Sequence, residues 1–335
     1  MRTATPVLAA LAAAAAIWIV DPTPKALAQG KGTPKGKGTP KQEAKAVEVA
    51  LQKVQGNVYM AYTPMGNAAI SVGEWGVLVV DTPPAGASDS LIAEIRKLTN
   101  KPIRYVLDTS VDKTNTNEQI SRAGAPVTGG NLGAVAFDNG ATIVAHENVL
   151  ARMANVPEGQ KVPNADALPT TTYNVGQKEI YFNDEAVISI FVPKAHTDGD
   201  SIVHFRGSDV IAAGDLLDMT SYPHIDLEKG GNVQGVLKGL NLILDICIPR
   251  HEQEGGTYVI PGRGRLTDEH DVLEYRDMVT IIRDRIQAGV KKGQTLAQIK
   301  AAKPTYEYDA RWGSTTGDWT TDMFIEAVYK SLGGK

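Results

Sequence analysis

Polar side chains that could do chemistry follow the ends of several predicted strands. In open α/β sheets, ligands bind at the edge of the sheet where strands end. Carboxylates and imidazoles can bind a metal or transfer protons, and a serine hydroxyl can act as a nucleophile. The candidates in chain order are Asp81, Ser110, Asp112, His196, Asp215 and Arg263. Which chemistry is available depends on which of them the fold brings together.

Arg263 limits the possibilities most strongly. It lies in the segment Val259-Ile260-Pro261-Gly262-Arg263-Gly264. A guanidinium stays protonated at ordinary pH and has no lone pair to give to a metal. It can instead form hydrogen-bonded ion pairs with carboxylates. Arg263 is therefore a candidate for charge neutralisation and not for metal binding.

Three other candidates have alternative roles that the sequence leaves open. Ser110 could be a nucleophile with His196 as base and Asp112 or Asp215 as the orienting carboxylate. His196 could equally be a structural hydrogen-bonding residue. Asp81, which ends the strand Val77 to Val80, is expected to hold neighbouring loops by hydrogen bonds.

The order of predicted elements favours an α/β protein with two strand-rich halves. Alternating and apolar segments predict strands from Val47 to Val80, and apolar residues at helical spacing predict a helix from Ser88 to Leu98 before the strand Ile103 to Leu107. A second set of strands begins near Ile180. Asp268 is predicted to cap a long helix. Two halves of this kind suggest two sheets packed face to face with helices outside.

The amino-terminal residues predict export. Residues 1–28 have the layout of a cleaved signal peptide, residues 29–45 form a basic linker that repeats Gly-Lys-Gly-Thr-Pro-Lys, and residues 46–335 form the folded domain. We expect a periplasmic or secreted protein without a membrane span in the mature chain. The linker is a spacer or a contact to the cell envelope. Cys247 is the only cysteine, so no disulfide framework is expected.

The net charge of −4 resides on an acidic domain with a basic tail, which does not indicate nucleic-acid binding. A small-molecule substrate or ligand, of unknown identity, is the expected partner.

Several segments in order are similar to the metallo-β-lactamase superfamily. They are Gly56-Asn57-Val58-Tyr59, Val79-Val80-Asp81-Thr82, Asp108-Thr109-Ser110, Ala195-His196-Thr197-Asp198-Gly199-Asp200, Ala213-Gly214-Asp215-Leu216 and Pro261-Gly262-Arg263-Gly264. This resemblance implies an αββα four-layer sandwich with a pocket that holds one or two zinc ions in intact members. The family's ligand positions fall on Ser110, Asp112, Thr114, Asn115, His196, Asp215 and Arg263.

Only part of that ligand set is retained, so the resemblance argues against dinuclear zinc hydrolysis. One divalent ion (Zn, Mn or Fe) could be weakly bound by His196, Asp215 and Asp112. Alternatively the site is metal-free, and Arg263 neutralises the two aspartates. The protein is then either a single-metal or metal-free hydrolase of a small ester, amide or lactone, or a pseudoenzyme that binds a ligand without turnover.

Overall fold

Two mixed β-sheets form the centre of the protein. The computed structural model describes residues 47–126, 140–156, 159, 162–252 and 255–334. One compact unit spans Ala44–Lys335. The predicted signal peptide and linker lie outside the described residues, so the predicted boundary at residue 46 stays a prediction.

The first sheet has seven strands in sequential order, and the described residues of this half of the chain form three α-helices. Its strands are β1 (Ala50–Gln55), β2 (Val58–Thr63), β3 (Gly66–Gly73), β4 (Gly76–Val80), β5 (Ile103–Asp108), β6 (Thr142–His146) and β7 (Thr171–Tyr173). Its helices are α1 (Ser88–Leu98), α2 (Asn117–Arg122) and α3 (Glu147–Ala154). Strands β1 to β4 pair antiparallel, and β4 to β7 pair parallel.

The second sheet has six strands in the order β13-β12-β11-β10-β9-β8. These strands are β8 (Gln177–Phe182), β9 (Glu185–Phe191), β10 (Ser201–Phe205), β11 (Val210–Asp218), β12 (Tyr258–Arg263) and β13 (Thr267–Asp268). The helices of this half are α4 (Val233–Ile246), α5 (Glu269–Lys291), α6 (Leu296–Ala301), α7 (Asp309–Trp312) and α8 (Thr321–Ser331). Only β11 and β12 pair parallel.

Three apolar clusters separate four layers. One lies between the sheets, where Leu78 of β4 and Phe205 of β10 belong to the same cluster. A second joins the outer face of the first sheet to α1 through Val79 and Leu91. The third joins the second sheet to α4, α5 and α8. The predicted αββα sandwich is therefore confirmed.

Strand β4 shows how the sequence specifies this layering. Successive side chains of a strand point to opposite faces. Val77 and Val79 accordingly pack toward α1, whereas Leu78 and Val80 pack between the sheets, and all four are fully buried. A continuous apolar run is what a strand covered on both faces requires.

The predicted cap of the long helix is also confirmed. The Asp268 side chain accepts hydrogen bonds from the backbone N–H groups of His270 and Asp271 at the start of α5. Two unpaired donors of the first turn are thereby satisfied. Within the described part of the chain, no helix is long and apolar enough to cross a membrane.

Candidate functional site

Asp81 connects the ends of β4 and β5. Its carboxylate accepts hydrogen bonds from the Thr109 backbone N–H at 2.8 Å and from the Thr109 hydroxyl at 2.8 Å. Burial raises the pKa of Asp81 to about 7, although Lys113 and the Thr109 N–H oppose that shift. Gly214, with φ +53°, makes room for this arrangement, because a Cβ there would lie 2.1 Å from the Thr109 hydroxyl. The predicted hydrogen bonding of Asp81 to a neighbouring loop is confirmed.

A short turn after β5 carries the candidate residues of the first half. Ser110 precedes a 3-10 helix, Val111–Lys113. The Lys113 carbonyl accepts hydrogen bonds from the backbone N–H and the hydroxyl of Thr82, at 3.0 and 2.8 Å. The turn is thereby fixed to the end of β4.

Lys113 and Asp215 form a buried ion pair in this site. The Lys113 Nζ atom lies 3.0 Å from Asp215 Oδ1, and their side chains are only 9% and 18% exposed. Lys113 Nζ also donates to the Gly262 carbonyl at 3.2 Å. Burial disfavours ionisation of both groups, but their mutual attraction raises the pKa of Lys113 and lowers the pKa of Asp215. Asp215 is therefore neutralised by an ammonium group.

His196 is held as an imidazolium. Its Nδ1 atom lies 2.9 Å from the His224 carbonyl oxygen, and its Nε2 atom lies 2.8 Å from Asp112 Oδ2. Both partners are acceptors, so both ring nitrogens donate. Burial would lower the pKa of His196, but the hydrogen bond to Asp112 and the charge of Asp215 outweigh it and raise the pKa to about 9. At neutral pH His196 therefore lacks the free lone pair that a general base needs.

Asp112 has a second cationic partner in Lys229. The Lys229 Nζ atom lies 2.8 and 3.0 Å from the two carboxylate oxygens of Asp112, and 3.0 Å from Asp226 Oδ2. Burial opposes ionisation of Asp112, but the bonds from His196 and Lys229 outweigh it and hold its pKa well below the usual range. Asp112 is consequently an ionised carboxylate with two charged donors.

Of the remaining candidates in the first half, Ser110 is hydrogen-bonded to a side chain of this network, whereas Thr114 and Asn115 are not. Ser110 donates to Asp215 Oδ2 at 2.8 Å, but the residue is 1% exposed and is not part of the cavity wall. The Thr114 hydroxyl donates to the Val111 carbonyl, and the Asn115 amide donates to the Asp112 carbonyl. Thr114 and Asn115 therefore stabilise the turn itself, and Asn115 also lines the cavity.

Arg263 does not have the role that the sequence suggested. The hypothesis that its guanidinium neutralises Asp112 and Asp215 is wrong, because Lys113 and Lys229 occupy those positions. Its side chain is exposed at the end of β12 and lines the cavity. Over the ranges that the structure covers, no ion pair or side-chain hydrogen bond holds its guanidinium.

The cavity beside this network has a volume of about 540 Å³. Polar lining includes Asp112, Lys113, His196, Asp215, Asp218, Lys229, Arg263 and Asp318, and Pro64, Met65, Pro84 and Trp319 supply apolar surface. The volume lies within the range of about 300–1,000 Å³ that is typical of small-molecule sites.

Solved structures with the same architecture include several enzymes. A metallo-β-lactamase from Pontibacter korlensis aligns with a TM-score of 0.52 over 70% of this chain and 99% of its own, at 13% identity. The metallo-β-lactamase DIM-1 aligns with a TM-score of 0.51 over 70% of this chain and 97% of its own, at 14% identity. The chain has the metallo-β-lactamase fold.

A longer protein with a similar structure is the stereoselective inverting sec-alkylsulfatase Pisa1 from Pseudomonas sp. It aligns with a TM-score of 0.58 over 85% of this chain and 50% of its own, at 14% identity. No family model matches the chain, and no curated protein matches its sequence. At these identities the similarity shows the fold, and the chemistry has to be read from the side chains.

The residues that this metallo-β-lactamase fold brings together do not fit a metal ion. The structure places His196, Asp112 and Asp215 side by side, with His196 Nε2 3.9 Å from Asp215 Oδ2. However, ammonium groups contact both carboxylates, and both ring nitrogens of His196 donate hydrogen bonds. In the described ranges, no group of three His, Cys, Asp or Glu residues is arranged to hold a metal. Binding one would require displacing a proton and separating two ion pairs.

Lys113 and Lys229 are the site residues that sequence reasoning missed. Lys113 directly follows the candidate Asp112, and Lys229 lies just before the Gly230-Gly231 pair that precedes α4. For Lys113 the available signal was its position next to Asp112, since a lysine is seldom buried without a partner. Lys229 is not adjacent to any candidate residue and gave no such signal. The partners are 102 and 117 residues away in sequence, which periodicity cannot detect.

Proposed function

We propose that this chain is a ligand-binding protein that uses the metallo-β-lactamase fold without a bound metal. The observation that carries the proposal is the ion pair between Lys113 Nζ and Asp215 Oδ1 at 3.0 Å. In an intact zinc site a carboxylate is neutralised by the metal. Here a buried ammonium group supplies that positive charge from within the chain.

The state of the polar groups also argues against metal-free hydrolysis. A serine nucleophile needs a base that accepts its proton. Ser110 donates its hydrogen bond to Asp215, whose pKa is lowered, and His196 is already protonated. Neither group is prepared to take a proton at neutral pH. Hydrolysis of a small ester, amide or lactone is therefore the less favoured function.

Metal analysis and activity assays together test this proposal. The chain would be purified without chelator and its metal content measured by mass spectrometry. Hydrolysis of p-nitrophenyl acetate and of a homoserine lactone would be assayed with and without added zinc, manganese or iron. We expect substoichiometric metal and no turnover above the buffer rate. A stoichiometric metal that is lost in His196→Ala, or turnover that is lost in the same variant, would refute it.

A further inference from the structure

Arg263 presents a guanidinium group at the cavity wall. Its exposed guanidinium lines the wall, and the described residues give it no ion-pair partner. Arg265, two residues later, is the contrasting case, because its guanidinium forms a two-bonded pair with Asp271 at 2.8 and 2.5 Å. A planar guanidinium with free donors is well suited to bind a carboxylate through two parallel hydrogen bonds.

The other cations of the cavity are already neutralised. Lys113 contacts Asp215, and His196 and Lys229 both contact Asp112. Lys229 also contacts Asp226. An incoming anion therefore gains most from Arg263, since binding at the other cations would require breaking existing ion pairs.

The remaining acidic groups favour a ligand with one negative charge. Asp218 and Asp318 also line the cavity. Asp218 is the ladder partner of Arg263 across β11 and β12, but its carboxylate accepts hydrogen bonds from the hydroxyl groups of Thr220 and Ser221. A dianion such as a phosphate monoester would face repulsion from both aspartates.

The apolar part of the wall indicates the rest of the ligand. Met65, in the turn between β2 and β3, is 47% exposed, and the half-buried Trp319 lines the same cavity. The Trp319 ring also packs against His224, with ring centroids 4.3 Å apart. Exposed methionine and aromatic surface favours a compact apolar body.

We propose that the cavity binds a small carboxylic acid with a compact apolar body, whose carboxylate pairs with Arg263. This inference rests on the proposed ligand-binding function and names its ligand class. The guanidinium of Arg263 would then recognise the ligand, whereas the ammonium group of Lys113 neutralises Asp215.

Calorimetric titration with matched acids and amides tests the inference. The probes are phenylacetate, 4-phenylbutyrate and hexanoate, each compared with its primary amide, and phenyl phosphate. We expect at least one acid to bind, its amide to bind about tenfold more weakly or worse, and Arg263→Gln to lose a similar factor, because a charge-assisted bidentate pair is removed. Arg265→Gln is the matched control and should bind the acid like the wild type.

Each alternative outcome contradicts the inference. These are no binding by any acid, equal binding of acid and amide, unchanged binding in Arg263→Gln, and tighter binding of phenyl phosphate than of phenylacetate. Amide binding that is independent of Arg263 would contradict the inference but would be consistent with the proposed ligand-binding function. Zinc uptake by the wild type, measured in a separate titration, would instead refute the proposed function.

Discussion

Lys113 keeps its charge inside the protein because Asp215 and the Gly262 carbonyl surround its ammonium group. Asp215 depends equally on Lys113, since burial alone would favour its neutral form. Removing one member of a buried pair leaves the other charge without compensation, which is more costly than losing both. The pair is therefore the residue-level feature on which the proposed metal-free site depends.

The variant Lys113→Met removes this cation and keeps most of the side-chain volume. We expect the free energy of unfolding at neutral pH to fall by about 2–4 kcal/mol, because Asp215 loses its charged partner. Chemical denaturation measures the change. Lys330→Met, which breaks the exposed pair with Glu326, is the control and should cost about 0.5 kcal/mol or less. Equal losses in the two variants would show that the Lys113 pair contributes no more to the free energy of unfolding than an exposed ion pair does.

His196 should titrate far above an ordinary histidine. Its pKa is raised to about 9, so its bound proton stabilises the folded state fully below about pH 6.5, the unfolded value. That contribution, about 3 kcal/mol for a rise of this size, is lost as pH rises from about 6.5 through 9. NMR titration of the ring protons checks this, with His196→Gln assigning the signal. A His196 midpoint near 6.5 would contradict the imidazolium assignment.

The sequence identified the right segments of the site but not the side chains that balance its charge. His196, Asp112 and Asp215 do lie together, as the resemblance implied. Arg263 was a reasonable candidate cation, because only its type and position were known. The direction of a long side chain depends on the neighbouring groups that it can contact in the folded protein. The buried partner of Asp215 is Lys113, which lies in the 3-10 helix after β5.

At the scale of elements, α4 is positioned by a close contact with the loop that leads to His196. Gly235 lies in its first turn, and a Cβ there would lie 1.7 Å from the Lys194 carbonyl oxygen. The absence of a side chain lets the helix backbone approach residues 194–195. The same loop continues into His196, so the helix and the site share this contact.

Gly235→Ala tests that contact against intrinsic helix propensity. Alanine favours a helix over glycine by about 1 kcal/mol. We nevertheless expect a net loss of about 2 kcal/mol in the free energy of unfolding, because the overlap forces the helix away from the loop. Gly176→Ala, where a Cβ meets nothing within 4 Å, should change stability by about 0.5 kcal/mol or less. A stabilised Gly235→Ala protein would exclude the close approach.

Long elements were predicted better than short ones for a physical reason. The helix Ser88–Leu98 has the predicted bounds, since its apolar residues repeat over three turns. The helices Leu296–Ala301 and Asp309–Trp312 were not predicted, because six and four residues show too little of a helical period. The strand predicted to end at Ala213 continues to Asp218 through the positive-φ Gly214, so Asp215 lies within a strand.

At the scale of the whole molecule, the residues that stabilise the fold are different from those that determine the chemistry of the site. Three apolar clusters hold the αββα layers together. The site lies at the strand ends, where polar side chains can change with little effect on these clusters. The architecture of a metallo-β-lactamase is therefore compatible with a site whose positive charges are lysine, arginine and histidine.

Export is the whole-molecule prediction made from residues 1–45. We expect the chain to be cleaved before about residue 29 and recovered from the periplasm or the medium, since its leader matches a signal peptide. Amino-terminal sequencing of the protein from each cell fraction checks this. An uncleaved chain in the membrane fraction would show that the leader is an anchor.

X-ray diffraction from crystals soaked in zinc, with anomalous data at the zinc edge, tests the metal-free site most directly. We predict no anomalous peak among His196, Asp112 and Asp215, and density for the Lys113 ammonium within hydrogen-bonding distance of Asp215. One or two strong peaks at about 2.0–2.2 Å from those side chains, with Lys113 displaced, would contradict the account.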